Sequence, residues 1–184
     1  MRPERVEVAQ AKVAAPLGKI WVLATGSGLR AIRLSSREAP TRAEMRAQGW
    51  KLIRRPRWTD PARRMIEDYL KGRERRLEIP LDLASGTPFQ RRVWEAARRI
   101  PYGTAASYVD LARLAGHPRA SRAVGNALGA NPVPIVVPCH RVIHADHSIG
   151  GFSSGLTWKR FFLELERGQL ELPWKRRRRF PFGR

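Results

Sequence analysis

Asn131-Pro132-Val133-Pro134-Ile135-Val136-Val137-Pro138-Cys139-His140-Arg141-Val142-Ile143 holds the only cysteine of a 184-residue chain. A lone thiol cannot close an internal disulfide, which leaves packing, metal binding or reactivity. Prolines restrict the backbone ahead of the sulfur, and an imidazole and a guanidinium follow it directly. Both groups favour a thiolate over a thiol, so the flanks point to a reactive cysteine. Two alternatives stay open. One is a buried structural cysteine, since free Cys is among the most often buried residue types. The other is a zinc shell of Cys139 with His140, His144 and His147, although adjacent ligands and the lack of a C-x-x-C pair weigh against it.

Upstream of this run, Thr87-Pro88-Phe89-Gln90 reads as a capping box with Pro at the first helical position. It predicts a helix from Pro88 to about Arg99 with Phe89, Val93, Trp94 and Ala97 buried. Pro101-Tyr102-Gly103 ends that helix. A second is predicted over Ser107 to Leu114, stopped by Gly116-His117-Pro118, and a third over Ser121 to Leu128. Two short helices joined by such a turn fit a helix-turn-helix. The third is poor in bulk and carries one long cation, Arg122, so it is either a close-packed core helix or one whose small residues let its backbone approach a ligand. Downstream, Ser148 to Gly155 is a small-residue loop with one aromatic, Phe152. Leu156 to Arg167 follows as a last helix with Trp158, Phe161, Phe162 and Leu165 buried. Glu166, near its end, is a solvated carboxylate unless a partner such as His140 meets it.

The first half reads as a mixed α/β unit. Lys19 to Thr25 and Leu29 to Leu34 are predicted strands of a hairpin turned at Gly26-Ser27-Gly28. Helical spacing covers Thr41 to Gln48 and Pro61 to Lys71, the latter burying Ala62, Met65, Ile66 and Leu70 and stopping at Gly72. Leu77 to Leu83 alternates, but Pro80 restricts it to an edge strand or a strand end. The expected fold class is therefore α+β. A small α/β domain with an antiparallel sheet spans residues 1–85, a mainly helical domain with the helix-turn-helix spans 86–168, and a basic tail, expected to be disordered, spans 169–184.

Lys and Arg number 36 against 16 Asp and Glu, a formal charge of +20 spread along the whole chain. Such an excess attracts polyanions through phosphate contacts and counterion release, which makes nucleic acid the expected partner. An Arg-rich proteome would raise the charge without any ligand. No apolar run is long enough to span a bilayer, and Met1 to Glu7 lacks the apolar stretch of a signal peptide. A soluble, intracellular protein without membrane contact is expected, and one cysteine agrees with a reducing compartment.

Taken in order, Thr87-Pro88-Phe89-Gln90, Ile100-Pro101-Tyr102-Gly103, Ser107-Tyr108, Arg122-Ala123-Val124-Gly125, Asn131-Pro132, Pro138-Cys139-His140-Arg141-Val142 and the downstream Gly/Ser loop resemble the O6-alkylguanine-DNA alkyltransferases. The match covers about residues 86–167; the first 85 carry no signature of their own. The resemblance implies single-turnover repair of duplex DNA by direct reversal. An alkylated guanine is flipped out through the minor groove and its O6-alkyl group is transferred irreversibly to Cys139, with O4-alkylthymine left open as a second substrate. Attack at saturated carbon needs a soft nucleophile, which a thiolate is. No cofactor and no metal are implied, and neither is N-terminal zinc, since no Cys precedes Cys139.

By the same resemblance His140, through a water and oriented by Glu166, is the base for the thiol, and Asn131 is the hinge that orders the active-site segment. Tyr108 is the donor to guanine N3. The Cys139 and Val142 carbonyls accept from the exocyclic amine, the Ser153 N–H faces O6, and Phe152 supplies a stacking face. Arg122 replaces the extruded base, Ala123 and Gly125 allow close approach, and Arg141 joins them as a DNA contact. Phe152 stands where the family commonly has Tyr, and Ser154 replaces a usual Gly. The expected state is a cytoplasmic monomer, nucleoid-associated or, in a eukaryote, nuclear. A DNA-binding protein that recognises alkyl lesions without chemistry is the alternative, and retention of Cys139 argues against it. The tail from Pro173 to Arg184 lies beyond the match and is expected to add phosphate contacts.

Overall fold

The structure is a computed structural model that describes residues 5–35 and 39–168, so the basic tail lies outside the described residues. The chain divides into two units, one ending at Ala84 and the other starting at Ser85.

In the first unit Gly26 and Ser27 turn the expected hairpin between β2 (Gly18–Thr25) and β3 (Gly28–Ser35), with Thr25 opposite Gly28. Gly28 has φ +140°, and a Cβ there would run into the Pro80 carbonyl, so only glycine fits. Two strands were not foreseen. β1 (Val6–Ala15) pairs antiparallel with β2, and β4 (Trp50–Ile53) pairs parallel with β1, giving the order β3-β2-β1-β4. Four of the ten residues of β1 are Ala, of modest strand preference, and its three Val are spread among them; partners on both edges and burial of Val8, Ala9 and Val13 hold it extended. Leu77 to Leu83 is not a strand. Leu81 alone bridges to Leu29, where the Leu29 N–H donates to the Pro80 carbonyl and the Asp82 N–H to the Leu29 carbonyl.

α1 (Arg42–Ala47) is closed by Thr41 and Glu44 in a capping box. α2 (Pro56–Leu70) begins five residues before the predicted start. Pro56, at the first helical position, is the proline whose missing N–H costs nothing, and Pro61 is carried inside the helix. The register also differs: Ala62 and Ile66 are buried as expected, but Thr59 and Tyr69 join them rather than Met65 and Leu70. Gly72, at φ +70°, donates to the Tyr69 carbonyl and ends the helix as predicted.

In the second unit the Thr87 hydroxyl accepts from the Gln90 N–H at 3.2 Å, and Gln90 Oε1 accepts from the Thr87 N–H at 2.8 Å. α3 (Pro88–Arg98) starts there and buries Val93, Trp94, Ala96 and Ala97. Phe89 is only half-buried, edge-on to His117. α4 (Tyr108–Leu114), capped by Ser107, and α5 (Ser121–Gly129) form the expected pair of short helices and pack on α3, where Trp94 Nε1 donates to the Ala127 carbonyl at 2.8 Å. α6 (Leu156–Glu166) buries Trp158, Phe162 and Leu165, leaves Phe161 half-buried, and also buries Lys159 and Leu163. Between them a two-residue parallel ladder joins β5 (Ala106–Ser107) to β6 (Val142–Ile143). No described helix is long and apolar enough to cross a membrane.

Candidate active site

The segment before Cys139 folds back on itself. The Val137 N–H donates to the Val133 carbonyl, and the Cys139 N–H to the Val137 carbonyl at 2.8 Å. Ile135 sits at φ +78°, a conformation disfavoured for a β-branched residue and held here by complete burial. Asn131 ties the turn together. Its Oδ1 accepts from the Val133 N–H at 3.0 Å, and its Nδ2 donates to the Val137 carbonyl at 2.9 Å and to Cys139 Sγ at 3.1 Å. Cys139, His140 and Arg141 then form one 3-10 turn that leads into β6.

The resting charge state of the sulfur differs from the sequence expectation. Burial pushes the Cys139 thiol from 9.0 up to about 11, against the opposing effects of the Asn131 hydrogen bond and the Lys159 charge. Burial also lowers the affinity of His140 for a proton, more than its hydrogen bond to Glu166 raises it. The pair at neutral pH is therefore a thiol beside a neutral imidazole. A flanking His and Arg favour the thiolate only where they carry free charge near the sulfur. Here the imidazole is neutral and the guanidinium is committed elsewhere.

That commitment is to Glu166. Arg141 is buried, and its Nε and Nη2 donate to the two Glu166 oxygens at 2.9 Å each while Nη1 donates to the Ile100 carbonyl. It is a structural clamp rather than the DNA contact expected, because a guanidinium so enclosed cannot reach a phosphate. His140 Nε2 lies 2.7 Å from Glu166 Oε1, and the Gly103 N–H donates to Oε2 at 3.1 Å. Burial opposes ionisation of Glu166, but the hydrogen bond from His140 and then the hydrogen bonds and charge of Arg141 outweigh it and hold the carboxyl at about 2. A permanent carboxylate facing Nε2 requires a proton on that nitrogen, which leaves the lone pair on Nδ1. Nδ1 is buried and has no hydrogen-bond partner among the described residues.

Lys159 is the functional candidate that sequence reasoning missed. It is fully buried on α6, and its Nζ donates to the Val142 carbonyl at 2.6 Å and to the Gly151 carbonyl at 3.1 Å. Desolvation lowers it from 10.5 to about 8, with the Cys139 charge opposing. One residue out of step with the aromatic stripe, it gives no signal in the sequence.

Cys139 opens onto a cavity of about 310 Å³ lined with Tyr108, Gly125, Leu128, Gly129, Gly151, Phe152 and Ser153. That is at the small end of the range, about 300–1,000 Å³, usual for ligand pockets. The fold thus gathers Tyr108, Gly125, Phe152 and Ser153 around the sulfur. Asn131, His140, Val142 and Glu166 are buried away from the cavity lining. Arg122 and Ala123 are exposed on α5 and do not line the cavity. His144 and His147 are exposed and line a different depression with Ser107 and Asp110, so they do not converge on Cys139. Among the described residues no group of three or more His, Cys, Asp or Glu is placed to hold a metal ion.

Residues 8–83 match the family model of the 6-O-methylguanine DNA methyltransferase ribonuclease-like domain, and residues 88–168 that of the 6-O-methylguanine DNA methyltransferase DNA binding domain. The methylated-DNA–protein-cysteine methyltransferase of Methanosarcina barkeri is 37% identical over 86% of this chain and 96% of its own. That of Haemophilus influenzae is 35% identical over 83% of this chain and 82% of its own. The crystal structure of Mycobacterium tuberculosis OGT in complex with DNA superposes with a TM-score of 0.74 at 36% identity, covering 89% of this chain and 94% of that one. The chain belongs to the 6-O-methylguanine DNA methyltransferase family.

Proposed function

We propose that this protein repairs O6-alkylguanine in duplex DNA by transferring the alkyl group, once and irreversibly, to Cys139. The observation that carries the reading is the buried chain Cys139, His140, Glu166 and Arg141 set behind a cavity of nucleobase scale. With the sulfur held at about 11, ionising it at neutral pH costs about 5 kcal/mol, so proton removal accompanies attack. His140 Nδ1, the basic nitrogen of the enforced tautomer, takes the thiol proton through a bridging water. Glu166 then stabilises the imidazolium. The Sγ–C bond forms as the C–O6 bond breaks, and the electron pair of that bond passes to the purine. The Tyr108 hydroxyl gives its proton to guanine N3, so the base leaves neutral, and the phenolate is reprotonated by the proton held on His140, relayed through water. The thioether is not hydrolysed, and one molecule repairs one lesion.

The surrounding residues serve orientation. Asn131 fixes the turn that carries Sγ, and Lys159 ties Gly151 of the cavity wall to the Val142 carbonyl behind it. The Ser153 N–H faces O6 and Phe152 stacks. The exposed Arg122 enters the duplex in place of the flipped base, with Ala123 and Gly125 allowing close approach. Base extrusion costs a few kcal/mol and least for a poorly paired base, which favours the lesion over normal guanine. The protein acts as a monomer in the cytoplasm, and the basic tail adds phosphate contacts. Restored guanine is counted against protein on an O6-methylguanine duplex: the wild type yields one equivalent and stops, and Cys139→Ala yields none while still binding. Restoration beyond one equivalent, or by the alanine variant, rejects the proposal.

A further inference from the structure

The β5–β6 ladder has a consequence for the residues that follow it. Ser107 lies opposite Ile143 in parallel register, so the next residues along the two strands, Tyr108 and His144, leave the ladder side by side. Neighbouring strands are about 4.8 Å apart, and the Tyr108 and His144 ring centroids lie 5.2 Å apart with planes tilted by 45°. His144 is held by its own turn. Its N–H donates to the Ser148 carbonyl and its carbonyl accepts from the His147 N–H, both at 3.0 Å. Asp146 Oδ1 secures the turn by accepting from the Ser148 N–H and hydroxyl.

A third wall comes from Gly150, at φ +67°. A Cβ there would stand 3.0 Å from the Tyr108 hydroxyl, 3.2 Å from its Cε2 and 3.3 Å from His144 Cδ2. On the other side of the ring, a Cβ on Gly125 would lie 3.7 Å from Tyr108 Cε1. The phenol is thus clamped between α5 and the His144–Gly150 turn. The ring contacts on both faces aim its hydroxyl.

We propose that His144 is a positioning residue for Tyr108, fixing the plane in which the phenol presents its hydroxyl to the base in the cavity. The inference rests on the role given to Tyr108 above. A tilted aromatic pair at this separation contributes about 1 kcal/mol, enough to change a transfer rate about fivefold. Single-turnover transfer from an O6-methylguanine duplex is measured for His144→Ala and His144→Phe, alone and with Tyr108→Phe. His144→Ala is expected to slow transfer about fivefold with binding of undamaged duplex unchanged. His144→Phe, which keeps an aromatic face, is expected to restore the rate. In the Tyr108→Phe background the alanine change is expected to add nothing, because the hydroxyl it aims is already gone. An unchanged rate in His144→Ala, no rescue by Phe, or an undiminished effect without the hydroxyl overturns the inference. Failure of the underlying reading is separate: there Tyr108→Phe itself transfers at the wild-type rate.

Discussion

Replacing Glu166 with Gln keeps the shape of a side chain that is 1% exposed and removes its charge. Oε1 faces His140 Nε2 and Arg141 Nη2, and Oε2 faces Arg141 Nε and the Gly103 N–H. Whichever way the amide is turned, its NH₂ meets donors, and the Arg141 guanidinium is stranded. Removing one partner of a buried ion pair costs about 3–5 kcal/mol. The same contacts hold the carboxyl at about 2 instead of 4.5, which at 1.36 kcal/mol per pH unit is roughly 3 kcal/mol. Urea unfolding at pH 7 is expected to show Glu166→Gln about 3 kcal/mol less stable. The sign of the pH dependence follows from a carboxyl lowered on folding. Its stabilisation is complete above about pH 4.5 and is lost as pH falls toward 2, so the wild type shows this loss and the variant lacks it. Because the amide no longer enforces the Nε2–H tautomer, transfer is expected to fall by at least a hundredfold in protein that remains folded. Equal stability at pH 7, or the same acid profile in both proteins, refutes the reasoning.

The resting thiol predicts that alkylation of Cys139 by iodoacetamide rises steadily with pH toward 11, as followed by mass; a plateau between pH 7 and 9 indicates a thiolate instead. Lys159→Met removes both donors that tie Gly151 to Val142, and is expected to slow transfer at least tenfold and to speed proteolysis in the 148–155 loop. Unchanged cleavage and rate show that the tie does not hold the loop. Arg122→Ala is expected to slow transfer from duplex at least tenfold while leaving the reaction with free O6-benzylguanine within twofold, because the side chain lies outside the cavity; equal losses on both substrates place its role elsewhere. Trp94→Phe leaves the buried Ala127 carbonyl without its donor, and thermal unfolding is expected to show a loss of about 1–3 kcal/mol; unaltered stability means that the bond contributes nothing net.

Local signals were legible where a few adjacent residues decide the outcome. The capping box at Thr87, the Gly26-Ser27 hairpin and the Gly72 stop are of this kind, since each depends on hydrogen bonds within three or four residues. β1 was not legible because its four Ala dilute the signal of three Val, and pairing with β2 and β4 supplies what the residues lack. Pro61 misplaced the start of α2 because a proline inside a helix reads as a first turn, although Pro56 had the better claim to that position.

In the site, motif order brought Cys139, Tyr108, Phe152 and Ser153 to one cavity, and the His140–Glu166 pairing was anticipated. Burial accounts for the remainder. Arg141 looked like a phosphate contact and Lys159 drew no reading at all, because a sequence does not display which carbonyls and carboxylates tertiary packing brings to them. The same enclosure reverses the expected thiolate: flanking cations favour ionisation in water, and desolvation outweighs them here.

Intact-mass and peptide-mass measurement after mixing the protein with an O6-methylguanine duplex tests the central claim most directly. The account predicts a gain of one methyl group, confined to the Cys139 peptide and saturating at one equivalent. Lesion loss with the protein mass unchanged, or a methyl group on any other residue, contradicts it.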